Sequence, residues 1–301
     1  MKDEQKLKKK IRRKKQVVYF LFFLILFVGG VLVYWIIPFS PMKANYQTYY
    51  KKELTENEKE YGFLENEIFT EDEIKKLPIS IQQFFRTTNL IGKPKIYVSH
   101  IKYDKTNFRL SKEKPALKIN YQHYNMLNHL NRIALIDTKF MGIPFEGLDH
   151  YQNGHGSMRG MLGKTATLFH STGVEMDISS LVTCLSEFVF LPTVALQEYV
   201  TWETVDDFTA KATMNYNNHV VHAIFKTNHR GEIIQVETDD RYMDDGEGNI
   251  NNYKWVIYLE DYITENGMKH PSKAKAIWKL PKEDYLYFDG SGIKISYNIK
   301  Q

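Results

Sequence analysis

The chain has 301 residues, 43% of them hydrophobic and 14% aromatic, with a formal net charge of +4. Nine of the 40 basic residues and two of the 36 acidic ones lie in residues 1–16, leaving 31 basic against 34 acidic in the rest. The bulk of the chain is therefore not basic, which argues against nucleic acid as a partner. The single cysteine, Cys184, excludes an intrachain disulfide.

Lys2 to Lys15 form a basic tail, and Val17–Ile37 follows as twenty-one residues without a charge, closed by Pro38. A bilayer core of about 30 Å needs roughly 20 apolar residues in a helix. The basic flank of such a segment stays in the cytoplasm. The reading is a signal-anchor: tail 1–16 inside, transmembrane helix 17–37 as the bilayer contact, and the remainder extracytoplasmic on a single-pass cell-membrane protein. A cleavable signal has a shorter apolar run and a small-residue cleavage site, and Ser40-Pro41-Met42-Lys43-Ala44 is a poor one.

Residues 38–69 read as a charged, Tyr-rich tether with helical spacing over Tyr49–Tyr61. Thr70-Glu71-Asp72-Glu73 has the form of a capping box. Ile74, Leu77, Ile81, Phe84 and Phe85 keep helical spacing, interrupted at Pro78, so a helix is expected near 79–90. Gly92 and Pro94 end it.

From Lys95 the period changes to two. Leu117-Ile119-Tyr121-His123, Ile234-Val236-Thr238, Ala274-Ala276-Trp278-Leu280 and Ile293-Ile295-Tyr297-Ile299 each alternate with polar residues. Alternation of this kind marks antiparallel strands with one packed face. Asn217-Asn218, His229-Arg230-Gly231, Asp245-Gly246-Glu247-Gly248 and Asn266-Gly267 supply turns. About ten to twelve strands are expected at this spacing. One helix interrupts them, near 178–190, with Asp177 as its cap and Pro192 as its stop. Ile178, Leu181, Val182, Leu185, Phe188 and Val189 form its apolar stripe. Its other face carries Ser179, Ser180, Thr183, Ser186 and one charge, Glu187. A surface helix shows a charged outer face, so two readings stand side by side: a helix covered on both sides in the mouth of a curved sheet, or an ordinary helix packed on one sheet face. The fold class is mainly β with α: the transmembrane helix, then one domain over 70–301 built on a curved antiparallel sheet with two covering helices.

No motif for catalysis or metal stands up to its spacing. His219 and His222 are three apart in a strand and so face opposite ways. The acidic run Asp244–Asn249 fails the calcium-loop order, which puts Arg241 in its first position. Gly154-His155-Gly156-Ser157-Met158 resembles a nucleophile elbow but has His155 where that motif needs Gly. No catalytic residue, metal ligand or cofactor is assigned. Cys184, on an apolar helix face, reads as a small hydrophobe.

Leu77-Pro78 with Gln82, Phe85 and Arg86, then Gly92-Lys93-Pro94, Gly154 to Met158, Phe190-Leu191-Pro192-Thr193, Trp202, the run from Thr209 to Thr213, Asp261-Tyr262, Pro271, Trp278-Lys279-Leu280-Pro281 and Tyr287 occur in this order. Together they resemble an uncharacterised prokaryotic family, domain of unknown function 6544, over roughly residues 70–300. The resemblance implies a half-barrel similar to lipoprotein carriers, which hold acyl chains under a helix. It supplies no catalytic residue. The function expected is a cell-envelope module holding a lipid or other apolar small molecule. Leu181, Leu185, Phe188, Trp202, Trp255 and Trp278 are the candidate lining. The alternatives are a ligand-free structural or interaction domain and, third, a hydrolase using His155, Ser157 or the acidic turn.

Overall fold

The computed structural model describes residues 1–244 and 250–300 and divides into two compact units, Met1–Ser40 and Pro41–Gln301. The first is a helix, α1 (Lys2–Ile36), ended by extended backbone at Ile37. It is the one helix among the described residues long and apolar enough to cross a membrane. Its apolar side chains, Phe20, Phe23, Ile25 and Phe27 among them, are exposed.

The second unit opens with α2 (Pro41–Tyr61). The sequence suggests a tether here, but Met42, Tyr46 and Leu54 are buried and the helix belongs to the compact unit. The sequence hid this because α2 has no clean apolar stripe. It is held partly by buried polar groups: the Glu53 carboxylate accepts from Asn131 Nδ2 at 2.5 Å, and Asn57 Oδ1 accepts from the Asn128 amide at 2.9 Å.

A short α3 (Glu71–Ile74) carries the expected capping box, with Thr70 Oγ1 accepting from the Glu73 amide and Glu73 accepting from the Thr70 amide. Next comes α4 (Ile79–Thr87). Six strands follow: β1 (Val98–Phe108), β2 (Leu117–Met126), β3 (Asn131–Phe140), β4 (Ile143–Gln152), β5 (His155–Leu162) and β6 (Ala166–Ser171). The interrupting helix is α5 (Val174–Ser186), continued by a 3-10 turn, Glu187–Val189. Its cap is Gly173, so Asp177 lies inside the first turn. That carboxylate accepts instead from the Gly156 amide of β5 at 2.7 Å. The chain then runs through β7 (Val200–Asp206), β8 (Thr209–Tyr216), β9 (His219–Thr227), β10 (Ile233–Thr238), β11 (Tyr242–Asp244), β12 (Ile250–Asn252), β13 (Lys254–Glu265), β14 (Met268–Lys279) and β15 (Asp284–Tyr297).

Thirteen of these strands make one sheet, in the order β6-β5-β4-β3-β2-β1-β15-β14-β13-β10-β9-β8-β7, and neighbours in it pair antiparallel. The strand number exceeds the expected ten to twelve because β11 and β12 pair separately and β6 and β7 are short edges. Asn217-Asn218 and Asn266-Gly267 turn two hairpins with φ of 48–77° at both positions, as two-residue turns of matching twist require. The turn expected at Asp245–Gly248 lies outside the described residues.

Helix α5 packs on both β5 and β9, which stand near opposite ends of the strand order. One helix reaches both only if the sheet curves around it. The curved sheet therefore has an inner face, against α5, and an outer face. On the inner face Phe188 sits edge-on to Phe84 of α4 and to Phe225 of β9, with ring centroids 5.6 and 4.8 Å apart. Both α4 and α5 thus cover the inner face. On the outer face Tyr50 of α2 stacks on Tyr124 of β2 at 4.7 Å.

Candidate functional site

Directly paired residues on neighbouring antiparallel strands share a face. The registers Tyr103↔Tyr121, Tyr121↔Ile136, Ala134↔Asp149 and Asp149↔Met158 therefore put one row of side chains on the inner face across β1 to β5. Arg132 joins this row, two residues from Ala134 and opposite Asn125. Beyond α5 the inner row continues as Phe225, Val236, Ile257 and Ala276 across β9, β10, β13 and β14.

At the C-terminal end of α5 this face carries a buried charged cluster. Arg132 donates from Nε and Nη2 to the two oxygens of Glu187 at 2.9 and 3.0 Å. It also donates from Nη1 to Asp149 at 2.8 Å and from Nη2 to the Tyr121 hydroxyl at 2.9 Å. Every guanidinium nitrogen is thus engaged, which is what a charge taken from water requires. Burial alone would raise the Glu187 carboxyl, but Arg132 and then His123 outweigh it and hold it at about 2. His123 lies with Nε2 3.4 Å from Glu187. Burial pushes its imidazole down to about 4 despite that carboxylate, with Arg132 opposing a second positive charge. Burial pushes the Tyr103, Tyr121 and Tyr287 hydroxyls up.

Beside the charges stands an apolar wall. Phe108, Ile119, Ile136 and Phe145 form a buried cluster. Packed on it are Leu117, Tyr121, Met158, Leu162, Phe169 and Phe288, which keep part of their surface accessible. A second cluster, Trp255, Ala276, Trp278 and Tyr285, adjoins the first through Tyr287 and Phe288. There Trp255 Nε1 donates to the Tyr287 hydroxyl at 3.0 Å.

The six expected lining residues all lie in this interior, in two groups. Leu181, Leu185 and Phe188 have no exposed surface and belong to the main core, with Trp202 half-buried 5.4 Å from the Phe188 ring. Trp255 and Trp278 sit apart from them in the second cluster. The polar side of α5 is covered, as Ser179, Ser180, Thr183 and Ser186 are all buried.

The Gly154–Met158 motif has a packing explanation. A Cβ on Gly156 would lie 2.3 Å from the Met176 carbonyl oxygen and 2.4 Å from Ser180 Oγ, so the glycine is what lets α5 approach β5. Ser157 Oγ lies 3.2 Å from His170 Nε2, whereas Asp177 is 3.3 Å from His155. The serine and the carboxylate thus contact different histidines. His222 pairs with Asp240 at 2.8 Å. Among the described residues no cluster suited to a metal is found.

Arg132, Asp149, Glu187 and His123 are the site residues that sequence reasoning passed over. The signals were present for two: Glu187 is the one charge of its helix face, and Arg132 begins an otherwise apolar run, Ile133-Ala134-Leu135-Ile136.

Comparison with curated proteins finds no match. Among solved structures the chain is similar to a LolA superfamily protein from Nitrosomonas europaea, with 12% identity, TM-score 0.38, and coverage of 71% of this chain and 92% of that one. It is also similar to a domain described as an outer membrane lipoprotein-sorting protein from Vibrio parahaemolyticus, with 10% identity, TM-score 0.42, and coverage of 76% and 95%. Residues 67–290, most of the folded unit, match the family of unknown function DUF6544, and the chain belongs to that family.

Proposed function

We propose that this protein is a membrane-tethered, extracytoplasmic module that holds a lipid or other amphiphile with an apolar chain against the inner face of its curved sheet. The observation that carries the reading is the partly accessible apolar wall of Leu117, Met158, Leu162, Phe169 and Phe288 on the inner face. Each Å² of such a wall removed from water by an acyl chain contributes about 25 cal/mol. The basic end of α1 sets the orientation, with Lys2–Lys15 on the cytoplasmic side and the compact unit outside. An anchor of this kind keeps the module next to the bilayer that supplies its ligand.

The test is binding of a fluorescent fatty acid by the full chain in nanodiscs, with empty nanodiscs as reference. Saturable binding above the reference, weakened by Met158→Glu, is expected. A signal equal to that of empty nanodiscs removes the reading and leaves a structural or interaction module of the envelope.

A further inference from the structure

The two inner-face arginines differ in one respect. Arg132 is balanced by Glu187 and Asp149 and has every nitrogen engaged. Arg241 has no carboxylate partner among the described residues. Its Nη1 donates to the Ser179 carbonyl at 3.0 Å and to Thr183 Oγ1, both neutral oxygens of α5. Its Nε is buried and without an acceptor. The guanidinium carbon lies 4.2 Å from the Trp255 ring centroid and 5.8 Å from that of Trp278. The preceding carboxylates are turned elsewhere: Asp240 to His222 at 2.8 Å, Asp239 to Lys254 at 3.6 Å.

Nε of Arg241 is cut off from water with no acceptor, and a buried donor left unmade is costly. Stacking on an indole offsets only part of that cost. What completes the site is a negative group, for which a guanidinium with free N–H donors is well suited. Arg241 is also close to the apolar wall, since Trp255 bonds Tyr287 and Tyr287 packs on both inner clusters.

We propose that the ligand is an amphiphile with an anionic head, a carboxylate or phosphate, which pairs with Arg241 over Trp255 while its chain lies along the wall of Met158, Leu162 and Phe288. This rests on the binding reading above and specifies the ligand's charge.

The test uses the full chain in nanodiscs and competition against a neutral pyrene-labelled alcohol. Octanoate, octyl phosphate, octanol, octyltrimethylammonium and inorganic phosphate are the competitors. Octanoate or octyl phosphate is expected to compete at tenfold or more lower concentration than octanol, with the ammonium weakest. Arg241→Gln should bring that ratio toward one, and Arg241→Lys should retain part of it. A ratio near one in the unaltered chain overturns the proposal while leaving the binding reading intact. So does a ratio that Arg241→Gln does not change, or a preference for the ammonium. Inorganic phosphate competing as well as octyl phosphate would point to a free anion and overturn the amphiphile. If the probe itself does not bind, the binding reading fails and this proposal with it. A ratio near one in the unaltered chain overturns the proposal whether or not a variant folds.

Discussion

Arg132 of β3 and Glu187, at the end of α5, meet as a two-pronged pair, 2.9 and 3.0 Å from nitrogen to oxygen, across 55 residues of sequence. Fork-on-fork geometry fixes orientation as well as distance. The pair ties the inner helix to the sheet at the point where the apolar wall begins.

Removing one partner strands the other. Glu187→Ala is expected to destabilise the folded unit by about 3–5 kcal/mol, because Arg132 keeps only Asp149 as a counter-charge. The double variant Arg132→Met with Glu187→Leu should recover a good part of that loss. Urea denaturation of all three variants checks this. A Glu187→Ala loss below about 1 kcal/mol, as surface pairs show, would contradict the assignment.

Acid should weaken the same cluster in two stages. His123 is held neutral, its value lowered from 6.5 to about 4 by burial. The unfolded chain therefore binds this proton more readily. Stability is full above about 6.5 and falls as pH drops toward 4, by on the order of 3 kcal/mol. Glu187, depressed from 4.5 to about 2, removes a further contribution between those values as it becomes protonated. Thermal melts from pH 7.5 to 4 should show a falling Tm that flattens in His123→Gln. An equal slope in both proteins would mean that His123 is not the group responsible.

The core beneath α5 should respond to truncation as a packed interior does. Phe188 has no exposed surface and contacts the rings of Phe84, Trp202 and Phe225. Phe188→Ala is expected to cost about 3–5 kcal/mol and Leu185→Ala about 2–5. Lys294→Ala, an exposed partner of Asp104 at 3.0 Å, should stay within about 0.5 kcal/mol of the parent. Chemical denaturation with matched slopes is the check, and a small Phe188→Ala effect would argue against tight packing under the helix.

Gly156→Ala tests the packing explanation of the Gly-His-Gly-Ser stretch. Its Cβ would meet backbone oxygen of α5 at 2.3 Å, a contact that a side-chain rotation cannot relieve. A loss of about 1–3 kcal/mol is expected from overpacking. Ser157→Ala should cost far less. The reverse order would return the motif to chemistry.

Orientation is tested by labelling in whole cells. Cys184 is buried, so an introduced cysteine at exposed Thr264 is the reactive one. A membrane-impermeant maleimide should label it in intact cells. Labelling only after lysis would reverse the assigned topology.

The strands were legible because alternation with period two is local: β2, β14 and β15 can each be read from the residues they contain. The capping box at Thr70 was legible for the same reason. The covered state of α5 was half legible: one charge on its polar side left a covered helix and an ordinary one-sided helix equally open, and the burial of Ser179, Ser180, Thr183 and Ser186 decides for the first. Helix α2 was not, because its burial depends on Glu53 and Asn57 finding Asn131 and Asn128 some seventy residues away. Asp177 looked like a cap because it precedes an apolar stripe, but one extra turn of helix before it let Gly173 take that place. The charged cluster escaped for a geometric reason. Arg132, Asp149 and Glu187 converge only once the sheet has curved, and no short spacing records that curvature. Arg241 stands in a loop, where periodicity says nothing about direction.

The central claim, that the inner face holds an amphiphile, is tested most directly by native mass spectrometry of the full chain released from its membrane. The account predicts a discrete population heavier than the bare chain by the mass of a lipid or amphiphile, lost when Met158 is replaced by Glu in the apolar wall. Bare chain alone, recovered from cells and again after incubation with octanoate and octyl phosphate, would contradict it.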